Sequence, residues 1–181
     1  MINYLNFYRN KKVLVTGSTG FKGAWLSLWL NMLGAKVYGI GYKPNLNKKL
    51  FNQLDLRKKI VFQNIDVRNF SKIKNYIKKI KPEIIFHLAA QPIISKSYEN
   101  PKYTYEVNSL GTLNIIEAIR EVKFVKSAVF VTSDKCYESN NSTIGFKEND
   151  KLGGIDPYSG SKASAEIIIN TYYHSFFKNK K

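Results

Sequence analysis

Val13-Leu14-Val15-Thr16-Gly17-Ser18-Thr19-Gly20-Phe21-Lys22-Gly23 decides the fold, because an apolar run passes through a glycine loop directly into a helical pattern. The run is continuous and β-branched, as in a strand covered on both faces. Gly17 permits the tight turn, Gly20 lets backbone approach a pyrophosphate, and Gly23 allows the helix to pack close to the strand. Backbone N–H groups and the helix N-terminus then hold the phosphates. Three glycines also serve ordinary turns, and it is their place between strand and helix that favours the binding reading.

Outward from this stretch, apolar runs alternate with helical ones. Strands are predicted at Val13–Val15, Lys36–Ile40, Ile60–Phe62, Ile84–Leu88 and Ala128–Val131. Helices are predicted at Lys22–Leu33, Ser71–Ile80, Tyr103–Arg120 and from Pro157 onward. The alternation describes an α/β fold, a doubly wound parallel sheet of Rossmann type with right-handed crossovers. In the first helix Trp25, Leu28, Trp29 and Met32 recur at helical spacing and are assigned to the core rather than to a ligand. Ser139 to Gly154 reads as a loop. Asp156 and Pro157 supply the cap and first residue of the last helix.

At 181 residues the chain is long enough for one domain with a full core, and 44% hydrophobic residues argue against disorder. No apolar run reaches membrane-spanning length, since Ser27 and Asn31 interrupt Ala24–Leu33. Met1–Lys12 has no apolar core of signal-peptide type, so a cytoplasmic location is the default. Cys136 stands alone, which excludes an intramolecular disulfide and a cysteine metal site, and no metal is expected. The formal charge of +16 invites a nucleic-acid reading. Arginine, the residue of base-edge readers and phosphate forks, appears only at Arg9, Arg57, Arg68 and Arg120. Lysines such as Lys72, Lys74, Lys78, Lys79 and Lys81 sit on polar helix faces, so solvated surface is the expectation and neither nucleic acid nor membrane is an expected partner.

Chemistry concentrates downstream. Tyr158 and Lys162 stand at i and i+4, on one face of a helix. A phenol in water titrates near pH ~10, and a nearby ammonium with an oxidised nicotinamide favours the phenolate a base requires. Ser133-Asp134-Lys135 closes the fifth strand with polar groups where further substrate chemistry can occur. Each landmark has a plain structural reading: Asp66 as a helix-start cap, His87 as a satisfied core histidine, Asn108 as a packed polar residue. For His87 the plain reading is preferred. For the set, in this order and at these strand ends, it is not.

The GxxGxxG spacing after Thr16 resembles the extended short-chain dehydrogenase/reductase family. Asp66-Val67, His87-Leu88-Ala89-Ala90, Asn108 in Val107-Asn108-Ser109-Leu110-Gly111-Thr112, Tyr158 and Lys162 fall where that family has its landmarks. The resemblance implies NAD as cofactor. Gly17, Thr19, Gly20, Phe21 and Gly23 would bind the pyrophosphate and Asp66 and Val67 the adenine. Leu88, Ala89, Ala90 and Asn108 would lie on the nicotinamide side, with Tyr158 and Lys162 at the ribose.

Within that family Thr132-Ser133-Asp134-Lys135-Cys136-Tyr137-Glu138 resembles the CDP-glucose 4,6-dehydratases, as do Gly20-Phe21-Lys22-Gly23-Ala24-Trp25-Leu26, Ala89-Ala90-Gln91-Pro92 and Asp150–Ser159. The dTDP-glucose relatives carry Thr-Asp-Glu and Glu-Ser where this chain has Ser133-Asp134-Lys135 and Gln91-Pro92. The resemblance implies that Tyr158 takes the proton of the sugar 4-hydroxyl while hydride leaves C4, with Ser133 on the same hydroxyl. Asp134 would protonate the departing 6-hydroxyl and Lys135 would take the C5 proton. An acid that must be protonated and a lysine that must be neutral both call for a closed site. Hydride then returns to C6. An epimerase or decarboxylase on the same scaffold is a rival, as is an inactive cofactor-binding or dimerising fragment.

Two departures accompany the resemblance. No acid follows the second strand to bind a ribose 2′-hydroxyl; Gly41-Tyr42-Lys43-Pro44-Asn45 stands there, and Lys43 tolerates a 2′-phosphate, so NAD and NADP both stay open on residues alone. Family members also continue through further strands and a C-terminal substrate-binding part. Here residues 1–181 are expected to be a dinucleotide-binding domain with the catalytic residues, truncated before those elements. Its fifth strand would then form an apolar edge, and the full-length form would be a homodimer.

Overall fold

Five short parallel strands form one sheet in the order β3-β2-β1-β4-β5: β1 (Lys12–Thr16), β2 (Lys36–Gly41), β3 (Val61–Asn64), β4 (Ile84–His87) and β5 (Ser127–Phe130). The computed structural model describes residues 6–42, 50–138 and 145–178. In register, Val13 faces Val37 on one side and Ile84 on the other, and Ile84 in turn faces Ser127.

Alternation along β1 builds a core on each face of the sheet. Leu14 joins Ile40 and Ile85 under α4 (Phe70–Ile80) and α7 (Gly111–Arg120), where Ile73, Ile77, Ile115 and Ile119 meet it. Val13 and Val15 point the other way, to Ala24 and Leu30 of α1 (Phe21–Met32) and to Phe51 and Leu56. The last two arrive on short helices, α2 (Leu50–Gln53) and α3 (Leu56–Lys59), which the sequence pattern does not reveal. Among the described residues no helix is long and apolar enough to cross a membrane.

The aromatic stripe of α1 is not core, contrary to expectation. Trp25, Trp29 and Met32 are 48%, 63% and 75% exposed, and Leu28 is half-buried. The inner face is instead Gly23, Ala24, Ser27 and Leu30. The cause is the closeness of the approach: a Cβ on Gly23 would overlap the carbonyl oxygen of Gly17. Only small residues fit against the loop, so the bulky ones turn outward.

The helix expected over Tyr103–Arg120 is three segments: α6 (Pro101–Tyr105), a π turn over Glu106–Leu110, and α7. A further short helix, α5 (Ile94–Glu99), precedes them. Beyond β5 a 3₁₀ turn covers Asp134–Cys136, and α8 (Pro157–Tyr172) follows, ending in a second π turn over Tyr173–Phe177. Asp156 caps α8 as expected, accepting the Ser159 N–H at 3.0 Å, with Pro157 in the first turn. Of the expected loop Ser139–Gly154, residues 139–144 lie outside the described residues. Its return is tied back by an antiparallel bridge of Tyr137 with Leu152. β5 lies at the sheet edge with Val129 44% exposed, as expected for an apolar edge.

Gly23→Ala tests the close approach. It is expected to lower stability by about 1–3 kcal/mol through overpacking, read as an earlier urea midpoint by far-ultraviolet circular dichroism. Gly145→Ala is the control, since nothing lies within 4 Å of a Cβ there.

Candidate active site

The loop after β1 is shaped by two contacts that exclude side chains. Gly17 has φ +68°, and a Cβ on it would lie 2.7 Å from the Ala89 nitrogen, so β1 and β4 deliver their loops into direct backbone contact. Gly20 donates to the Gly17 carbonyl at 2.9 Å and serves as N-cap of α1, with no side-chain cap and no acid in the first turn. Among the described residues the first-turn N–H groups thus have no side-chain cap, and the glycine cradle fits a diphosphate at a helix N-terminus. Thr19 is buried beneath β2, where a Cβ on Gly41 would come within 2.7 Å of its hydroxyl. Phe21 opens the helix exposed.

A buried hydrogen-bond chain fixes this loop to its surroundings. Leu88 and Ala89 each donate a backbone N–H to Thr16 Oγ1 at 3.1 Å. The Thr16 hydroxyl donates in turn to His87 Nδ1 at 2.7 Å. His87 Nε2–H donates to Thr112 Oγ1 at 3.2 Å, and Thr112 donates to the Asn108 carbonyl at 2.7 Å. The directions assign His87 the neutral Nε2–H tautomer. Burial pushes its pKa down to about 3, with the Lys162 charge adding to the effect. His87 is a satisfied core histidine, as its plain reading holds.

Asp66 and Val67 follow β3. Asp66 takes the Arg68 backbone N–H at 2.9 Å and the guanidinium at 3.0 and 2.7 Å, while Arg68 reaches Glu106 at 3.1 Å. Burial would raise the Asp66 carboxyl, and the bonds from Arg68 outweigh it and hold the group below its ordinary range. The helix-start cap is Asn69, which accepts the Lys72 N–H, and not Asp66. Tyr42, Asn64, Asp66, Arg68 and Phe70 line a cleft of about 620 Å³ at the carboxyl ends of β2 and β3. Lys43 lies outside the described residues. Val67 is buried against the α7 start, where a Cβ on Gly111 would be 2.8 Å from it.

Asn108 sits in the π turn, 1% exposed. Its carboxamide accepts the Gln91 N–H at 2.8 Å and donates to the Gln91 carbonyl at 3.1 Å and to Ser161 Oγ at 2.9 Å. It thereby joins the segment after Ala89-Ala90 to the turn of α8 that lies between Tyr158 and Lys162. Gln91 uses its own side chain on Ile93 and Thr104.

α8 packs on the 3₁₀ turn beyond β5, so the two groups of catalytic candidates, Tyr158 with Lys162 and Ser133-Asp134-Lys135, stand on adjoining elements. Tyr158 is half-buried. Lys162 is 6% exposed, with Nζ 3.4 Å from the Val131 carbonyl. Burial lowers Lys162 to about 8, opposed by the Glu166 carboxylate and helped by the Lys22 charge. Ser133 caps the 3₁₀ turn, accepting the Lys135 N–H at 3.2 Å and lying 3.1 Å from Asp134 Oδ1. Asp134 and Lys135 are exposed, so the closed surroundings their roles require do not come from the described residues.

Thr16, Gln91, Thr112, Thr132, Ser161 and Glu166 hold this site and were not singled out for it by sequence. Thr16, Gln91, Thr112 and Thr132 stood inside the quoted motifs and Ser161 next to Lys162, so adjacency was the available signal, while Glu166 had none.

A parallel Rossmann sheet with a glycine loop on its central strand and a helix packed beside its last strand defines a class, that of the dinucleotide-binding α/β folds. Residues 14–178 match the family model of GDP-mannose 4,6 dehydratase, and the chain belongs to that family. It is 44% identical over 172 residues to a CDP-glucose 4,6-dehydratase of Salmonella typhimurium, covering 95% of this chain and 48% of that one. An epimerase from Methanothermobacter thermautotrophicus superposes with a TM-score of 0.83 at 29% identity, covering 95% of this chain and 50% of its own. A UDP-glucose 4-epimerase from Thermus thermophilus, solved in complex with NAD, gives 0.76 at 28% identity over 91% of this chain and 51% of its own. The chain spans about half the length of the relatives it matches.

The His87 shift has a consequence for acid stability. The unfolded chain binds the proton near pH 6.5 and the folded one only near 3, so the contribution is intact above 6.5 and is lost as pH falls below it. Between pH 6 and 4.5 the protein should lose about 1.4 kcal/mol per pH unit more than His87→Gln, measured by urea unfolding across pH. Parallel pH profiles would show that His87 titrates normally.

Proposed function

We propose that this chain, residues 1–181, is the cofactor-binding half of a CDP-glucose 4,6-dehydratase and carries its catalytic side chains. The observation that carries the reading is the 44% identity over 95% of the chain to a protein of that name. The Ser133-Asp134-Lys135 turn against α8 supports it. Gly17, Thr19, Gly20, Phe21 and Gly23 hold the pyrophosphate of NAD, Asp66 and Val67 its adenine, and Leu88, Ala89 and Ala90 the nicotinamide side, with Asn108 behind them. Arg68 is already bound to Asp66 and Glu106, which favours a cofactor without an added phosphate.

NAD held there would supply a two-electron acceptor beside the sugar that is regenerated within the same turnover. Tyr158 takes the proton of the 4-hydroxyl, Ser133 hydrogen-bonds that hydroxyl, and Lys162 holds the ribose and favours the Tyr158 phenolate. Oxidation at C4 acidifies the C5 proton, which Lys135 removes while Asp134 protonates the departing 6-hydroxyl. Water leaves across C5 and C6, and hydride returned to C6 with the proton held on Lys135 returned to C5 would give CDP-4-keto-6-deoxyglucose. The full-length form acts in the cytoplasm as a homodimer through α6–α7 and α8, where Leu110, Ile167 and Tyr173 are exposed.

The chain alone should bind NAD weakly by calorimetry and turn over almost nothing, since substrate positioning contributes on the order of 7–11 kcal/mol to lowering a barrier. Combined with the C-terminal half of a full-length relative, it should convert CDP-glucose to the 4-keto-6-deoxy product. Tyr158→Phe should lower that rate by about 10²–10⁴-fold. Preference for dTDP-glucose, or a C4 epimer formed without loss of water, would overturn the assignment.

A further inference from the structure

Tyr158, Lys162 and Glu166 recur at i, i+4 and i+8, on one face of α8. That face ties down two successive residues just past β5. Lys162 Nζ donates to the Val131 carbonyl at 3.4 Å, and the Thr132 hydroxyl donates to Glu166 Oε1 in a short contact. The next residue is Ser133. Val131 also continues the sheet, donating its N–H to the His87 carbonyl at 3.0 Å, so the ties join α8 to the end of the β4–β5 ladder.

The charges around Lys162 make the second tie more than mechanical. Lys22 of α1 repels the ammonium, His87 of β4 is neutral and gives it no counter-charge, and Cys136 of the 3₁₀ turn is a buried thiol. Glu166 supplies the carboxylate among these groups, and its bond from Thr132 fixes where that charge sits.

We propose that Glu166 is a positioning residue: held by Thr132 one helical turn beyond Lys162, it sets the strand end that carries Ser133 against Tyr158 and supplies the carboxylate on the Lys162 face of α8. The inference rests on the reading of Lys162 as the residue that binds the cofactor ribose. Removal of the Glu166 charge leaves a desolvated ammonium beside Lys22, so Lys162 loses its proton at lower pH. Removal of the Thr132 hydroxyl leaves the charge in place and loosens the strand end.

The test uses the 181-residue chain labelled with ¹³C at the lysine ε-carbons, titrated by NMR, with NAD affinity measured in parallel at pH 6 and pH 8. Glu166→Gln, which can still accept from Thr132, should lower the Lys162 midpoint by about one unit. It should weaken NAD about three- to tenfold at pH 8 and leave the affinity at pH 6 near that of the unaltered chain. Thr132→Val should leave the midpoint within about 0.3 unit and weaken NAD equally at both pH values. Glu166→Met is the second variant should Glu166→Gln fail to fold, and its midpoint should fall likewise. An unchanged Lys162 midpoint in a folded Gln or Met variant overturns the proposal. If the unaltered chain binds no NAD, the cofactor reading fails, while the lysine titration still decides the role of Glu166.

Discussion

The contact of Gly17 with both Gly23 and the Ala89 backbone is the constraint on which the rest of the molecule depends. A chain that must turn within a few residues, meet a neighbouring strand end backbone to backbone and start a helix against its own carbonyl has no room for side chains at either place. From this follow the small-residue inner face of α1, the place of β1 between two cores, and the α1 start without a side-chain cap. The same closeness explains why Thr16 becomes a hub. Its hydroxyl lies where the β1 and β4 ends meet, and it takes up the backbone N–H of Ala89 and shares that of Leu88 with its own carbonyl.

Buried titratable groups around the site are sorted by their partners. His87 has two hydroxyl neighbours and is kept neutral. Asp66, half a sheet away, is surrounded by Arg68 and stays ionised in spite of burial. Lys162 lies between these cases, desolvated yet close to a carboxylate, and is the group whose charge responds most readily to its surroundings near neutral pH.

Much of this was legible in the sequence. The strand–glycine loop–helix order gave the doubly wound fold, and the spacing of Tyr158 and Lys162 placed both on α8 beside Ser133. Asp156 and Pro157 marked the α8 start because capping is local chemistry. What stayed hidden depends on tertiary proximity. The aromatic stripe of α1 had helical period, but period alone does not say which face turns inward; the overlap at Gly23 does. The π turn at Glu106–Leu110 has no local signature either. It exists where Asn108 must meet Gln91 and Ser161 and where Gly111 must admit Val67, contacts made across long stretches of chain. The plain reading of Asp66 as a helix-start cap, set aside for the landmarks taken together, is not what the structure shows either: the Arg68 fork two residues on takes its carboxylate, and Asn69 caps the helix.

The outward turn of α1 also sets what the protein reports of itself spectroscopically. Trp25 and Trp29 are its two tryptophans, and both stand on the exposed side of one helix. Excitation of indole therefore interrogates a single patch of surface on the back of the glycine loop rather than the interior. Its emission is that of a solvated ring, and iodide or acrylamide reaches it in the native state. Any polypeptide that comes to cover this face shifts the emission to the blue and shields it from quencher, while the α8 face, which carries no tryptophan, stays optically silent.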